Sequence, residues 1–437
     1  MHGLPCMLEQ GDHNKNTTWR SAMILKTILV LSFILNHAFN LFLDYLDEKH
    51  MKAAIPENVR DVYDENEYKR WIAYHKDSKR LGMTKDAVSF VVELLMLIFN
   101  FYAIVFSLFS HYAVYLQYFF AIILFVVIDT VIGIPFHYYD TFVIEEKYGM
   151  NRMTKKTFVL DSVKSFLISL VMGYGLIAII MFLYDRFGDP GIVLICIAVI
   201  LISLLIVLVA VPLMRIFNRF DRLEEGDLKS DLLRLCDKYG VQVKKIVVRD
   251  ASRRTTRANA FCAGLTKRKT ISLDDNLVKD YENDQIVAVF AHEFAHAKYR
   301  HVLKSLPFSL MQIVLTIVML GVIFHITPVY TAFGFDGLNY HFAMLVLTLF
   351  TWPVMKVLEY VSNRISRKHE YEADGFAAKE GYGEALISAL KKLSKDSLSN
   401  LNPHPFIVKL SYSHPTLSQR IEAIRLEYEG QQEWSYR

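Results

Sequence analysis

The sequence predicts a mainly α-helical membrane protein with seven spanning helices and a small β element inside a soluble insert. Three observations carry this prediction. Apolar residues make up 53% of the 437 positions, and the mean hydropathy is +0.24, too oily for an ordinary soluble chain. The surplus is gathered into seven blocks of about 20 residues, the length that crosses a bilayer core. Two short β-branched runs stand apart from those blocks, inside the longest polar stretch.

The candidate spans lie at 24–45, 86–110, 114–137, 157–184, 190–217, 306–328 and 341–362. The first has no small-residue cleavage pattern, so it reads as a span rather than a removable leader. A polar, Tyr-rich loop follows it, AAIPENVRDVYDENEYKRWIAYHKDSKR. The soluble insert runs over about 218–306. Within it VKKIVVRDA (243–251) and KTISLDDNL (269–277) read as strands. SRRTTRANAFCAGLTKR, between them, reads as a hairpin or loop with an extended edge at Ala258–Phe261. Helices are expected from Asn283 through the QIVAVFAHEFAHAKYRHVLK stretch, over Asn363–Glu380 and over Gly383–Ser394. The chain thus divides into 1–85 (first span and polar loop), 86–217 (spans two to five), 218–305 (insert), 306–362 (last two spans) and 363–437 (C-terminal segment).

Charge orients the spans. The loop after the third carries Lys147, Arg152, Lys155 and Lys156, and Arg364, Arg367 and Lys368 follow the seventh. The loop after the fourth holds only Arg186, and 331–340 has no Lys or Arg. Positive residues favour the cytoplasmic side, which places 138–156, the insert and the C-terminal segment there. Lys15, Arg20 and Lys26 run against the external N-terminus that follows. The formal charge of +4 comes with no basic stripe, so nucleic acid is not an expected partner. Cys6, Cys196, Cys236 and Cys262 lack CxxC spacing and indicate neither a disulfide framework nor a thiolate metal site.

The chemistry is concentrated in His292-Glu293-Phe294-Ala295-His296. Residues four apart share a helix face, so both imidazoles can reach one zinc ion, and Glu293 is placed as general base on the activated water. A catalytic zinc takes three protein ligands and keeps a position open. Glu370 is the candidate third ligand. Asp374, one turn further, can accept the free ring N–H of a ligand histidine. Taken alone, these acidic residues with Glu372 would read as a solvated face. Two spans separate His296 from Glu370, however, so the chain returns to the same side of the membrane.

The chain resembles the type I CAAX prenyl proteases, integral-membrane zinc endopeptidases, from about Ile55 onward. The resemblance rests on VIEEKYGMNRMTKKTF (143–158), PLMRIFNRFDRLEEGDLK (212–229), SRRTTRANAF (252–261), HEFAH, HEYEADGFA (369–377) and YSHPTLSQRIEAI (412–424). It implies seven spans with a gluzincin-like zinc metallopeptidase domain on the cytoplasmic side and one zinc per chain. It also implies that His414 and Arg420 face the zinc to stabilise the transition state or the peptide. Asn259 and Ala260, it implies, hold substrate in extended form by strand addition. The implied substrate is a peptide or protein, prenylated or membrane-associated. The implied setting is the bilayer: endoplasmic reticulum in a eukaryote, cytoplasmic membrane in a bacterium. Ala295 departs from the family's usual Gly, but is small and helix-favouring. Two alternatives have less support. A heat-shock-type quality-control protease typically has fewer spans, and a non-catalytic zinc scaffold or transporter would use four ligands rather than three.

Overall fold

The computed structural model describes residues 6–51, 53–263 and 268–428. The spanning helices form in the predicted blocks because long apolar runs must satisfy their backbone internally in a bilayer. They are α1 (Cys6–His50), α2 (Glu65–Ile98) continued by α3 (Phe101–Leu108), α4 (Val114–Tyr139), α5 (Lys155–Phe187) and α6 (Pro190–Met214). Beyond the insert come α10 (His301–Phe324) and α12 (Tyr340–Ala377), joined by short α11 (Thr327–Ala332). Among the described residues six helices are long and apolar enough to span, or seven counting α2 and α3 as one broken span. The break bends that pair by 72°. It occurs at Asn100, whose φ of 57° lies in the left-handed region that Asn tolerates.

The insert holds β1 (Phe220–Arg222), α7 (Asp227–Lys238), β2 (Gln242–Arg249), β3 (Ala260–Ala263), β4 (Arg268–Asp274), α8 (Asp275–Asp280) and α9 (Asn283–Lys298). The two predicted strands, β2 and β4, pair in parallel, and β3 turns back antiparallel onto β4. The sheet order is β1-β2-β4-β3, so β3 is an edge. The hairpin tip, 264–267, lies outside the described residues, as do the side chains of Cys6 and Cys262. Among the described residues, neither Cys196 nor Cys236 forms a disulfide. Arg249 grips Asp274 through two hydrogen bonds of 2.7 and 2.8 Å. Asn276 donates to the carbonyls of Thr255 and Arg257, shaping the approach to β3.

One difference from the sequence reading concerns the last span. The spacing predicts a span ending at 362 and a separate helix from Asn363. Instead α12 is one 38-residue helix, because the polar residues after 362 change its surroundings but include no breaker. Asn339 caps it by accepting from the Phe342 N–H. At 1.5 Å per residue Glu370 lies about 45 Å along the axis from Tyr340. The C-terminal part adds α13 (Gly383–Asp396), α14 (Pro405–Ser411) and α15 (Leu417–Tyr428).

The loops that the charge pattern puts on one side do meet. Arg254 reaches from the insert to Asp161 and the Phe217 carbonyl. Tyr63, in the first polar loop, donates to the Ser394 and Ser399 carbonyls. One apolar core surrounds α9 and includes Trp71, Ile144, Leu273, Phe290, Phe376 and Ile424. A second lies toward the other end of the bundle, around Phe106, Tyr330 and Phe342, where Lys26 hydrogen-bonds Asn100. A cavity of about 580 Å³ opens between α1, α2 and α14, with Asp44, Asp47, Asp86 and Glu93 in its walls.

Candidate metal centre

Helix α9 is buried almost without interruption from Ile286 to Ala295. Its start is fixed by Gln285, whose side chain accepts from the Glu282 N–H, an otherwise unsatisfied donor of the first turn. Ala295 is fully buried within it and leaves the ligand spacing intact. On the face toward α12, the Nε2 atoms of His292 and His296 stand 3.2 Å apart. Glu370 meets them from α12: Oε2 lies 3.4 Å from His292 Nε2, and Oε1 lies 3.3 Å from His296 Nε2. The three ligand atoms fall within 4.8 Å of one another.

Asp374 sits one turn beyond Glu370, fully buried, with Oδ1 2.9 Å from His292 Nδ1. Arg420, on α15, donates to both of its oxygens at 2.6 and 2.8 Å. Ionised beside an arginine, Asp374 can only accept, so His292 puts its proton on Nδ1 and aims the Nε2 lone pair at Glu370. Glu370 Oε2 is buried and accepts no hydrogen bond from any described residue. The site therefore gathers acceptors and calls for a cation. Burial and the Arg420 guanidinium push the His292 pKa down. The facing carboxylates of Asp374 and Glu370 push it up further, to about 9. A metal ion would replace that proton. Burial lowers the Arg420 pKa, but the carboxylates of Asp374, Glu370 and Glu293 raise it by more.

The remaining predicted residues fall around this cluster. Glu293 follows His292, half-buried, near enough for its charge to act on Arg420. His414 lies on the open side, 63% exposed, with Nε2 3.5 Å from Glu370 Oε1 and Nδ1 2.9 Å from Ser413 Oγ. Arg420 has its guanidinium committed to Asp374, and only 12% of its side chain is exposed. Asn259 and Ala260 lead into β3, which packs against α9. Asn259 accepts from the Asp274 N–H inside the sheet, and Ala260 is aligned with Leu273. By antiparallel alternation the Ala260 main chain faces the free edge, where its N–H is held by Asn259 Oδ1 at 2.8 Å. Sequence reasoning passed over one further neighbour of the site, His301, and counted another, Glu372, only toward a solvated acidic face.

Two imidazoles and a carboxylate on facing helices at one end of a spanning bundle define a membrane metallopeptidase. Comparison with known proteins gives the family. Residues 44–219 match the family model described as CAAX prenyl protease N-terminal, five membrane helices, and residues 222–427 match peptidase family M48. The chain is 32% identical over 314 residues to CAAX prenyl protease 1 of Saccharomyces cerevisiae, covering 68% of this chain and 69% of that one. It is 33% identical over 296 residues to a CAAX prenyl protease 1 homolog of Arabidopsis thaliana, covering 67% and 69%. The crystal structure of S. mikatae Ste24p is similar with a TM-score of 0.86 at 26% identity, over 92% of this chain and 99% of that one. The chain belongs to the type I CAAX prenyl protease family of M48 metallopeptidases.

Proposed function

We propose that the protein is a zinc endopeptidase that trims the C-terminal end of prenylated, CAAX-type peptides at the cytoplasmic face of its membrane, the endoplasmic reticulum in a eukaryotic host. The observation that carries this is the His292–His296–Glu370 cluster, whose nitrogen and oxygen donors suit zinc and leave a side open toward His414. Bound there, zinc would supply Lewis acidity, making water more acidic and polarising the scissile carbonyl. The chain's own residues supply the rest. Glu293 accepts the proton of the attacking water and returns it to the leaving amine. His414 donates to the oxygen on which negative charge develops. Arg420 acts through Asp374, holding the carboxylate that orients His292. The outward Ala260 N–H and C=O take the peptide as an added strand, displacing the Asn259 side chain from the N–H.

The test is hydrolysis of a farnesylated CAAX peptide and of its unprenylated twin by the purified, zinc-loaded protein. The expected result is cleavage of both at the same bond, with the farnesylated peptide strongly preferred in kcat/KM. Equal rates would remove the prenyl group from the substrate definition. Cleavage of neither would remove CAAX processing.

A further inference from the structure

Helix α10 begins immediately after α9, and the joint is Arg300, held at φ 56°, ψ 42°. This left-handed conformation is disfavoured for a residue with a Cβ and persists only where the surroundings impose it. Its effect is to fold the first residue of α10, His301, back onto the last turn of α9. The His301 side chain is only 4% exposed there. Its Nδ1 lies 3.0 Å from His296 Nδ1, and its Nε2 lies 3.0 Å from Glu372 Oε2. The ring stacks flat on His369, with centroids 4.1 Å apart and planes 4° from parallel. Lys304 and Lys368 flank Glu372 at 3.6 and 4.0 Å.

We propose that Glu372 and His301 form a relay that positions His296, the second ligand of the proposed zinc centre. The inference rests on that reading of the centre. The chemistry runs in one direction. Ionised Glu372 can only accept, so His301 carries its proton on Nε2 and leaves a lone pair on Nδ1. His296 must then donate from Nδ1, which aims its Nε2 lone pair at His292 Nε2 and Glu370. The relay repeats on the second ligand what Asp374, held by Arg420, does for the first: an outer carboxylate fixes the tautomer and ring orientation. Alternatively, His301 is a satisfied core histidine, whose loss would lower stability but leave metal affinity alone.

The experiment measures the zinc dissociation constant of the detergent-solubilised full chain by chelator competition. His301→Ala is expected to weaken zinc binding roughly ten- to a hundredfold. His301→Asn, whose amide oxygen can accept from His296 Nδ1, should recover most of that loss. Glu372→Ala should weaken binding in the parent but add nothing in the His301→Ala background, because Glu372 acts through His301. Parental affinity in His301→Ala would overturn the relay, as would full additivity in the double variant. If His301→Ala does not fold, Glu372→Ala in the parent and His301→Asn backgrounds decides the question, and unchanged affinity in both overturns the relay. His292→Ala is the control. Zinc retained there would overturn the centre itself, whereas zinc lost there but held normally by His301→Ala would overturn only the relay.

Discussion

Replacing Asp374 by Ala should damage the fold and the metal site by separable amounts. Asp374 is fully buried and receives two hydrogen bonds from Arg420, whose side chain is 12% exposed, and one from His292. Its removal strands a buried guanidinium, which costs about 3–5 kcal/mol, a large share of the roughly 5–15 kcal/mol that holds a typical domain together. By the scaling of soluble domains of about 150–250 residues, each kcal/mol moves the melting midpoint by about 2–4 °C, so a drop of roughly 10 °C is expected. Separately, His292 loses the acceptor that fixes its tautomer, and zinc affinity should fall about ten- to a hundredfold. Arg420→Met in the same chain separates the two effects. It removes the stranded charge, so most of the thermal stability should return while zinc affinity stays low. Thermal unfolding in detergent and chelator competition read the two quantities. If the second substitution restored zinc affinity, the deficit would come from stray positive charge beside His292 rather than from a lost acceptor. If Asp374→Ala melted like the parent, the pair would not hold the fold.

Three other outcomes are expected. His292→Ala should lose its zinc in elemental analysis, and full occupancy would remove His292 from the ligand set. Glu293→Gln should keep the metal and lose about two to four orders of magnitude in peptide hydrolysis; parental turnover would show that another group takes the proton. Single cysteines at Asp336 and Glu384, both exposed, should react with an impermeant thiol reagent from opposite sides of the membrane once the four native cysteines are replaced. Labelling from one side only would mean that α10 and α12 do not both cross.

The proposed metal ligands were legible because their geometry is local. Four-residue spacing puts His292 and His296 on one face of α9, and the same spacing puts Asp374 one turn beyond Glu370 on α12. What joins the two helices is two spans, whose length and apolarity are also plain in the sequence. The break at Asn100 was hidden because the residues on both sides of it, 94–99 and 101–106, are apolar with no Gly or Pro at the bend, and Asn alone is a weak signal. Three-residue β1 is too short to stand out, whereas α7 has an amphipathic face, burying Leu232, Leu235 and Cys236, that the sequence reading left unassigned.

The outer partners of the ligands were harder to read, for a different reason. His301 and Glu372 are 71 positions apart, and nothing in either local pattern links them. Glu372 has the composition of a solvated face, yet 31% exposure still lets one oxygen serve a buried imidazole. The left-handed turn at Arg300 gives no sequence warning either, since Arg is an ordinary surface residue. Arg420 came to attention only through the HPTLSQR motif, and its partner had to await the packing of α15 on α12. The site is thus written at two scales. Helical periodicity places the atoms proposed to meet the metal, and in the proposed relay long-range pairing sets which nitrogen of each histidine carries the proton. The second scale is the more fragile, because a ligand that remains in place but holds its proton on Nε2 cannot bind a cation.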